Sequence, residues 1–166
     1  MLRGLSLLLM GMFTLTVSSG EPADALVTFY SNGSLWSVDA PVAKHAAFIG
    51  ALYDGKERIG FVAPKHFVTL RLPPGKHTFS ASYSVRRPDD RSQVELDLAE
   101  GGRYFMRVQE THVQILYAGT GKNLLNLVDC QTAQDEAGKF SPTREKGITA
   151  KLRGQIAPGA TIPSCQ

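Results

Sequence analysis

The sequence predicts an all-β protein: an antiparallel β-sandwich of seven or eight strands, followed by one short helix and an extended C-terminal tail. Short segments that alternate apolar with polar residues, rich in β-branched and aromatic side chains, recur over residues 25–119. Turn-forming residues separate these segments at intervals of about 8–12 residues, the spacing typical of sandwiches. No amphipathic helical segment lies between them to carry a parallel crossover.

The first 20 residues have the three parts of a secretory signal peptide. Arg3 supplies the positive charge, an apolar stretch covers residues 4–17, and small residues follow at Ser18, Ser19 and Gly20. We expect cleavage near Ser19 or Gly20 and a secreted or periplasmic chain, with no stable membrane insertion afterwards. The alternative, an uncleaved anchor, is disfavoured because a membrane span needs about 20 apolar residues.

The mature chain then divides into two predicted parts. Residues 21–128 form the β-sandwich domain, and residues 129–166 form the short helix and the disulfide-tethered tail. The predicted strands cover residues 25–31, 46–53, 57–62, 66–72, 77–84, 93–98, 103–110 and 112–119. The helix is expected over residues 129–140, with Thr132 and Asp135 as a capping box and Gly138 near its end. Residues 148–152 could add an edge strand, and the rest of the tail should be extended.

Two cysteines, Cys130 and Cys165, lie in the mature part. An even count in an exported chain predicts one disulfide, which would tether the tail. Closing a loop of this size should stabilise the fold by roughly 3–4 kcal/mol. The alternative, a pair of metal ligands or a redox pair, is disfavoured because no C-x-x-C motif is present.

The segment TLRLPPGKHTFSASYS, residues 69–84, contains a Gly-Lys pair beside a histidine. We interpret residues 73–76 as the turn of a β-hairpin in which Leu72 faces His77. The alternation then buries one face of the hairpin, formed by Val68, Leu70, Leu72, Phe79, Ala81 and Tyr83. Phe67 points outward in this register and is a candidate ligand contact.

Several kinds of chemistry find no support in the sequence. The charge is balanced, with 18 basic and 15 acidic residues, which gives no reason to expect nucleic acid binding. Neither PPGKH nor GTGKN has the first glycine of a phosphate-binding loop. The four histidines lack metal-ligand spacing, so we expect no metal and no cofactor. No G-x-S-x-G motif is present, and we expect a protein that is not an enzyme.

One tryptophan adds a further candidate. Trp36, with Phe29 and Tyr30 nearby in sequence, could contribute to an aromatic surface that contacts a sugar or a peptide. The alternative is that Trp36 covers the core.

The order of four segments resembles an uncharacterised bacterial family of secreted proteins and lipoproteins with a prealbumin-like, carboxypeptidase-regulatory-like sandwich. These segments are ALVTFY, LYDGKERIGFV, HFVTLRLPPGKHTFSASYS and LDLAEGGRYFMRV. The chain departs from the family by lacking a lipid-modified cysteine and by adding the tail with Cys130 and Cys165. The resemblance implies a domain at the cell envelope without assigned catalytic or binding residues.

Three functions remain open at this stage. The first is an exported, non-enzymatic structural or protein-binding module of the bacterial cell envelope, whose partner would be an envelope protein or a glycan. The second is a carbohydrate- or peptide-binding domain that uses exposed aromatic residues such as Trp36 and Phe67. The third is a hydrolase whose catalytic residues have no recognisable motif.

Overall fold

The computed structural model describes residues 23–32, 51–82, 86–88, 92–110 and 123–165. The strands are β1 (Ala25–Ser31), β2 (Ala51–Asp54), β3 (Glu57–Phe61), β4 (His66–Leu72), β5 (Gly75–Ser82), β6 (Gln93–Leu98), β7 (Arg103–Glu110), β8 (Asn123–Val128) and β9 (Ser141–Pro142). The helix α1 (Cys130–Ala137) precedes β9, and two 3₁₀ helices, Glu145–Gly147 and Ala150–Gln155, follow it.

The described strands form two sheets, which confirms the predicted β-sandwich class. One sheet has the order β8-β7-β1-β4-β9 and the other the order β3-β2-β5-β6. The prediction of a wholly antiparallel sandwich was wrong, because β1 pairs with β7, and β4 with β9, in parallel. These parallel neighbours are far apart in sequence, since the chain passes between the two sheets before it returns.

The core lies between the two sheets and is built from alternate residues of each strand. Phe29 on β1 and Phe79 on β5 meet across the sandwich, edge to face, with ring centroids 5.3 Å apart. Around this pair lie the other large buried apolar side chains, among them Val27, Leu52, Ile59, Leu70, Leu98 and Met106. The period-two pattern therefore identified the inward faces correctly.

The hairpin predicted around the PPGK turn does not form. β4 pairs with β1 in the five-stranded sheet, whereas β5 pairs with β2 and β6 in the other sheet. Residues 73 and 74 therefore carry the chain from one sheet to the other, and the predicted facing of Leu72 and His77 was wrong. The alternation of residues 68–72 reports which face is buried, but it does not say which strand is the neighbour.

Residues 141–157 close one side of the sandwich. β9 pairs with the start of β4, and Ala157 donates its backbone N–H to the carbonyl oxygen of Thr69 further along the same strand. Between these contacts the segment reaches the other sheet, where Thr149 donates its backbone N–H to the carbonyl oxygen of Ile59 on β3. The exposed edges of β3 and β4 are thereby covered by the same piece of chain.

This closing segment also adds two side chains to the core. Ile148 is buried at 1 % exposure and Leu152 at 8 %. In place of an edge strand over residues 148–152, Ile148 forms a single β-bridge with Gly60, and the chain then turns into a 3₁₀ helix. Gly60 has φ of 156° and lies so close to Gly147 and Ile148 that a side chain would displace them.

The helix prediction was correct in position, but its cap differs. Asp129 is the N-cap, and its carboxylate accepts hydrogen bonds from the backbone N–H of Thr132 at 2.8 Å and from its hydroxyl at 2.7 Å. Because an aspartate lies just before the helix, Thr132 becomes the third helical residue, and the Thr132–Asp135 capping box is not used.

Some predicted elements cannot be compared. The strand expected over residues 112–119 lies outside the described residues, as do the signal peptide and most of the strand expected over residues 46–53. In the described part of the chain, no helix is long and apolar enough to cross a membrane.

Candidate functional site

The outer face of the five-stranded sheet is covered by α1 and the C-terminal residues, which together build a second apolar cluster. Strand residues Tyr30, Phe67 and Phe105 contribute from the sheet, Ala133 and Ala137 from the helix, and Ile162 from the C-terminal end. The two alanines lie one turn apart on the helix, and their small side chains let the helix approach the sheet. The domain is therefore layered as helix, sheet and sheet on this side.

A polar contact fixes α1 on the sheet beside this cluster. Tyr30 on β1 donates its hydroxyl to Glu136 Oε2 at 2.6 Å, and Arg107 on β7 donates from Nη1 to Glu136 Oε1 at 2.6 Å. One helical carboxylate thus bridges two neighbouring strands. Burial of the ring, and then the hydrogen bond to Glu136, raise the pKa of the Tyr30 phenol well above its usual range.

The last residues form a strap, residues 157–165, that runs over the sheet beside α1. The predicted disulfide is confirmed: Cys130 at the start of α1 is bonded to Cys165, with Cα atoms 5.5 Å apart. Gln134 donates its side-chain N–H to the carbonyl oxygen of Pro163 at 2.6 Å, and Arg103 donates to the carbonyl oxygen of Ser164 at 2.8 Å. The strap is therefore fastened at both ends, by these contacts and by Ala157.

Between the strap, α1 and the outer face of the sheet lies a groove of about 830 Å³. Leu26, Phe67 and Thr69 form its floor, and Gln131 and Gln134 form the helical wall. The strap forms the opposite wall, from Ala157 to Cys165, with Ala160 as the one strap residue that does not line the groove. None of the described residues that line the groove is charged.

A second cavity of about 560 Å³ lies on the other side of the disulfide and has a different character. It includes Arg103 and Asp129, but the arginine bonds to the strap and the aspartate caps α1. The capping hydrogen bonds, those from Thr132 first, lower the pKa of the Asp129 carboxyl. Both charges therefore have structural partners, which makes this cavity the weaker candidate.

One histidine does lie beside a carboxylate, on the opposite sheet. His77 Nδ1 is 2.6 Å from Asp54 Oδ2, and its ring stacks on Phe79. His77 Nε2 lies 3.0 Å from the carbonyl oxygen of Pro73, and it must be the donor because a carbonyl oxygen only accepts. In a catalytic triad this nitrogen faces the nucleophile. Here Nε2 instead contacts Pro73, in the segment that carries the chain from one sheet to the other, so the His77–Asp54 pair acts as a structural link.

Of the two aromatic residues proposed from the sequence as ligand contacts, Phe67 lies among the described residues. Phe67 is only 3 % exposed and packs in the second cluster beneath α1, so its predicted outward, solvent-facing position was wrong. The sequence predicted its direction on the strand correctly, but not that a helix would cover that face. Trp36 lies outside the described residues. Within the part of the chain that is described, no group of three or more His, Cys, Asp or Glu residues could hold a metal ion.

Sequence reasoning missed the groove altogether. Its walls come from three places that are distant in sequence: β1 and β4, the helix, and the strap. One local signal was available, because Gln131 and Gln134 on α1, and Gly138 at its C-cap, recur at helical spacing on one face.

Comparison with known proteins adds no assignment: no family model matches the sequence, and neither a curated protein nor a solved structure matches it.

Proposed function

We propose that the protein is an exported, non-enzymatic module of the bacterial cell envelope that binds a partner in the groove between α1 and the strap. The observation that carries the proposal is the groove itself, an uncharged cavity of about 830 Å³ whose one wall is tethered by a disulfide. Ligand sites are commonly concave and largely apolar, with a few polar groups. The disulfide supports an oxidising compartment, as the N-terminal sequence does.

The same geometry favours binding over catalysis. A triad-like role for His77 is opposed by the Pro73 carbonyl oxygen on Nε2. A broad aromatic surface of the kind that sugars stack on has no support from Phe67, because the helix covers that ring. The hydrogen-bonding groups of the groove are instead neutral: the amides of Gln131 and Gln134, the hydroxyls of Thr69, Thr161 and Ser164, and backbone groups.

Export is tested by expressing the full-length chain in a bacterial host and fractionating the cells. The envelope or periplasmic fraction should contain a chain shortened by the predicted leader, and intact-mass spectrometry should show Cys130 and Cys165 without free thiols. Leu8→Arg interrupts the apolar stretch of the leader and is the matched control, which should keep full length and free thiols in the cytoplasm. A native chain found in the cytoplasm with two thiols would contradict export.

Binding in the groove is tested separately with a photo-crosslinking amino acid at position 161 or 160. Thr161 lines the groove and its neighbour Ala160 does not, although both are exposed. An envelope component should crosslink from position 161, not from 160, and Gln131→Trp on the facing wall should abolish the product. Equal crosslinking from both positions, or none, would contradict binding in the groove.

A further inference from the structure

We propose that the ligand of the groove is an extended, uncharged peptide segment, recognised by the strap backbone and the two glutamines of α1. This inference rests on the proposed binding function and adds the chemical class of the ligand.

The absence of charge on the described groove lining selects against charged ligands. An ion that leaves water without a partner loses several kcal/mol of solvation. No lysine, arginine, aspartate or glutamate lines the groove to compensate such a loss. Acidic or basic peptides, and phosphorylated ligands, would therefore bind less well than neutral ones.

The polar groups of the groove match those of a peptide backbone. Gln131 and Gln134 carry amides that both donate and accept. One N–H of Gln131 donates to Asp135 Oδ1 at 2.9 Å, and one N–H of Gln134 donates to the Pro163 carbonyl oxygen, so each amide keeps a second N–H and its oxygen for a ligand. On the facing wall, the backbone N–H groups of Gly159 and Thr161 make no hydrogen bond to any other described residue. The strap is irregular and contains Pro158 and Pro163, so it offers separate backbone donors rather than a strand edge, and the carbonyl oxygens of an extended peptide can accept from them.

The floor is mainly apolar and suits small or aliphatic side chains. Leu26 lines it beside Thr69, Ile162 adds an apolar side chain from the strap, and Phe67 contributes little surface because it is 3 % exposed. Sugar rings are usually held by stacking on an exposed aromatic face. The described lining offers none, so the geometry favours a peptide over a glycan.

The test uses the purified, disulfide-bonded protein and four probes. The first is the capped neutral peptide acetyl-Ala-Val-Thr-Val-Ala-amide. The next two replace its central threonine with lysine or glutamate, and the fourth is an N-acetylglucosamine trimer. Backbone amide and glutamine side-chain signals are followed by NMR. We expect the neutral peptide to shift the signals of residues 159 and 161 and of Gln131 and Gln134, and the charged peptides to bind at least about tenfold more weakly.

Two substitutions in adjacent strap positions provide the matched comparison. Thr161→Trp places a large ring in the groove and should lower the affinity for the neutral peptide by at least about tenfold. Ala160→Trp should change that affinity by less than about twofold. If Thr161→Trp disturbs the spectrum as a whole, Gln131→Trp fills the groove from the helical wall and gives the same readout.

Three results would overturn the ligand class: equal binding of charged and neutral peptides, shifts with the sugar trimer alone, or no shift with any peptide. Crosslinking of an envelope component from position 161 would stand in each case as evidence for the binding function. Failure of that crosslinking, in contrast, would remove the function itself.

Discussion

Tyr30 shows how one side chain joins two layers of the molecule. Its ring is fully buried between the sheet and α1, and its hydroxyl donates to Glu136, which also accepts from Arg107. The three groups belong to β1, α1 and β7. Because the carboxylate is about one quarter exposed, water can partly replace a lost partner, which limits the cost of removing any one hydrogen bond.

Replacing Tyr30 with phenylalanine should lower the free energy of unfolding by about 1 kcal/mol, since one hydrogen bond to a partly exposed carboxylate is lost while the ring stays packed. The pH dependence is the more specific readout. Burial raises the pKa of this phenol, so the folded protein keeps a proton that the unfolded chain releases above about pH 10. Stability should therefore fall as the pH rises above about 10, and less steeply in Tyr30→Phe.

Urea unfolding measured on both sides of that pH tests this expectation. The matched control is Tyr104→Phe, because the Tyr104 hydroxyl bonds backbone groups near the β6–β7 turn, far from Glu136. An alkaline slope that is unchanged in Tyr30→Phe would show that the buried phenol does not govern it.

The His77–Asp54 pair makes a second prediction at the scale of residues. Asp54 Oδ2 lies 2.6 Å from His77 Nδ1, and Asp54 Oδ1 accepts from the backbone N–H of Thr78, so Asp54→Ala should lower the free energy of unfolding by about 1–2 kcal/mol. His77→Ala should lower the free energy of unfolding by a similar amount. The loss in the double variant should be smaller than the sum of the two single losses by about 0.5–1 kcal/mol. Additive effects in this double-mutant cycle, measured by denaturant unfolding, would show that the 2.6 Å contact contributes nothing.

Among the elements, the closing segment of residues 141–157 depends on one apolar side chain. Ile148 is 1 % exposed and packs in the main core beside Gly60, although it belongs to no regular strand. Ile148→Ala should leave a cavity and lower the free energy of unfolding by about 2–4 kcal/mol.

An exposed apolar residue provides the control for this substitution. Leu127 on β8 is 48 % exposed, and Leu127→Ala should change the stability by less than about 0.5 kcal/mol. Equal, small effects of the two substitutions in thermal or denaturant unfolding would mean that the segment is only loosely attached to the sandwich.

The elements also show what the sequence could and could not predict. Residues 25–31, 66–72, 93–98 and 103–110 were identified as strands to the residue, because β-branched, aromatic and alternating residues bounded by turn residues are typical of a strand. The neighbouring strands of β4 and β5 were predicted wrongly. Any two alternating strands joined by a turn are compatible with a hairpin, and a chain that changes sheets at residues 73 and 74 has the same sequence pattern. The strand β8 was missed although Gly119 and Gly121 precede it, because NLLNLV does not alternate strictly and is rich in leucine rather than in β-branched residues.

The candidate groove was beyond sequence reasoning for a related reason. The sequence predicts that Phe67 is an exposed aromatic residue, because nothing local to its strand shows that α1 covers it. Cys130 and Cys165 could be paired from their number alone, but nothing in their spacing shows that the bond fastens one wall of a cavity. Contacts between elements distant in sequence depend on the order of strands, which local patterns do not encode.

For the molecule as a whole, the two sides of the sandwich are closed in different ways. On one side the segment of residues 141–157 covers β4 and β3. On the other, the edges of β8 and β6 come together, and the Ser92 hydroxyl, just before β6, accepts from the backbone N–H of Leu125 on β8 at 3.0 Å. The disulfide lies outside both closures, on the face that carries the groove.

This placement predicts how the molecule responds to the loss of its disulfide. A crosslink over 35 residues should contribute about 3–4 kcal/mol by restricting the unfolded chain. The Cys130→Ser/Cys165→Ser double variant should therefore unfold at a lower denaturant concentration. Ile148 and Leu152 lie before the strap and remain anchored in the core, so the sandwich should still fold.

Hydrogen exchange distinguishes this outcome from general loosening. Without the disulfide, the strap keeps three hydrogen bonds to other described residues and the buried Ile162. Amides of α1 should therefore exchange faster while those of β1, β2 and β5 stay protected. Ser164→Ala, which leaves the disulfide intact, serves as the control and should exchange like the native protein. If the central strands lost protection together with α1, the disulfide would stabilise the whole sandwich rather than the groove-bearing layer.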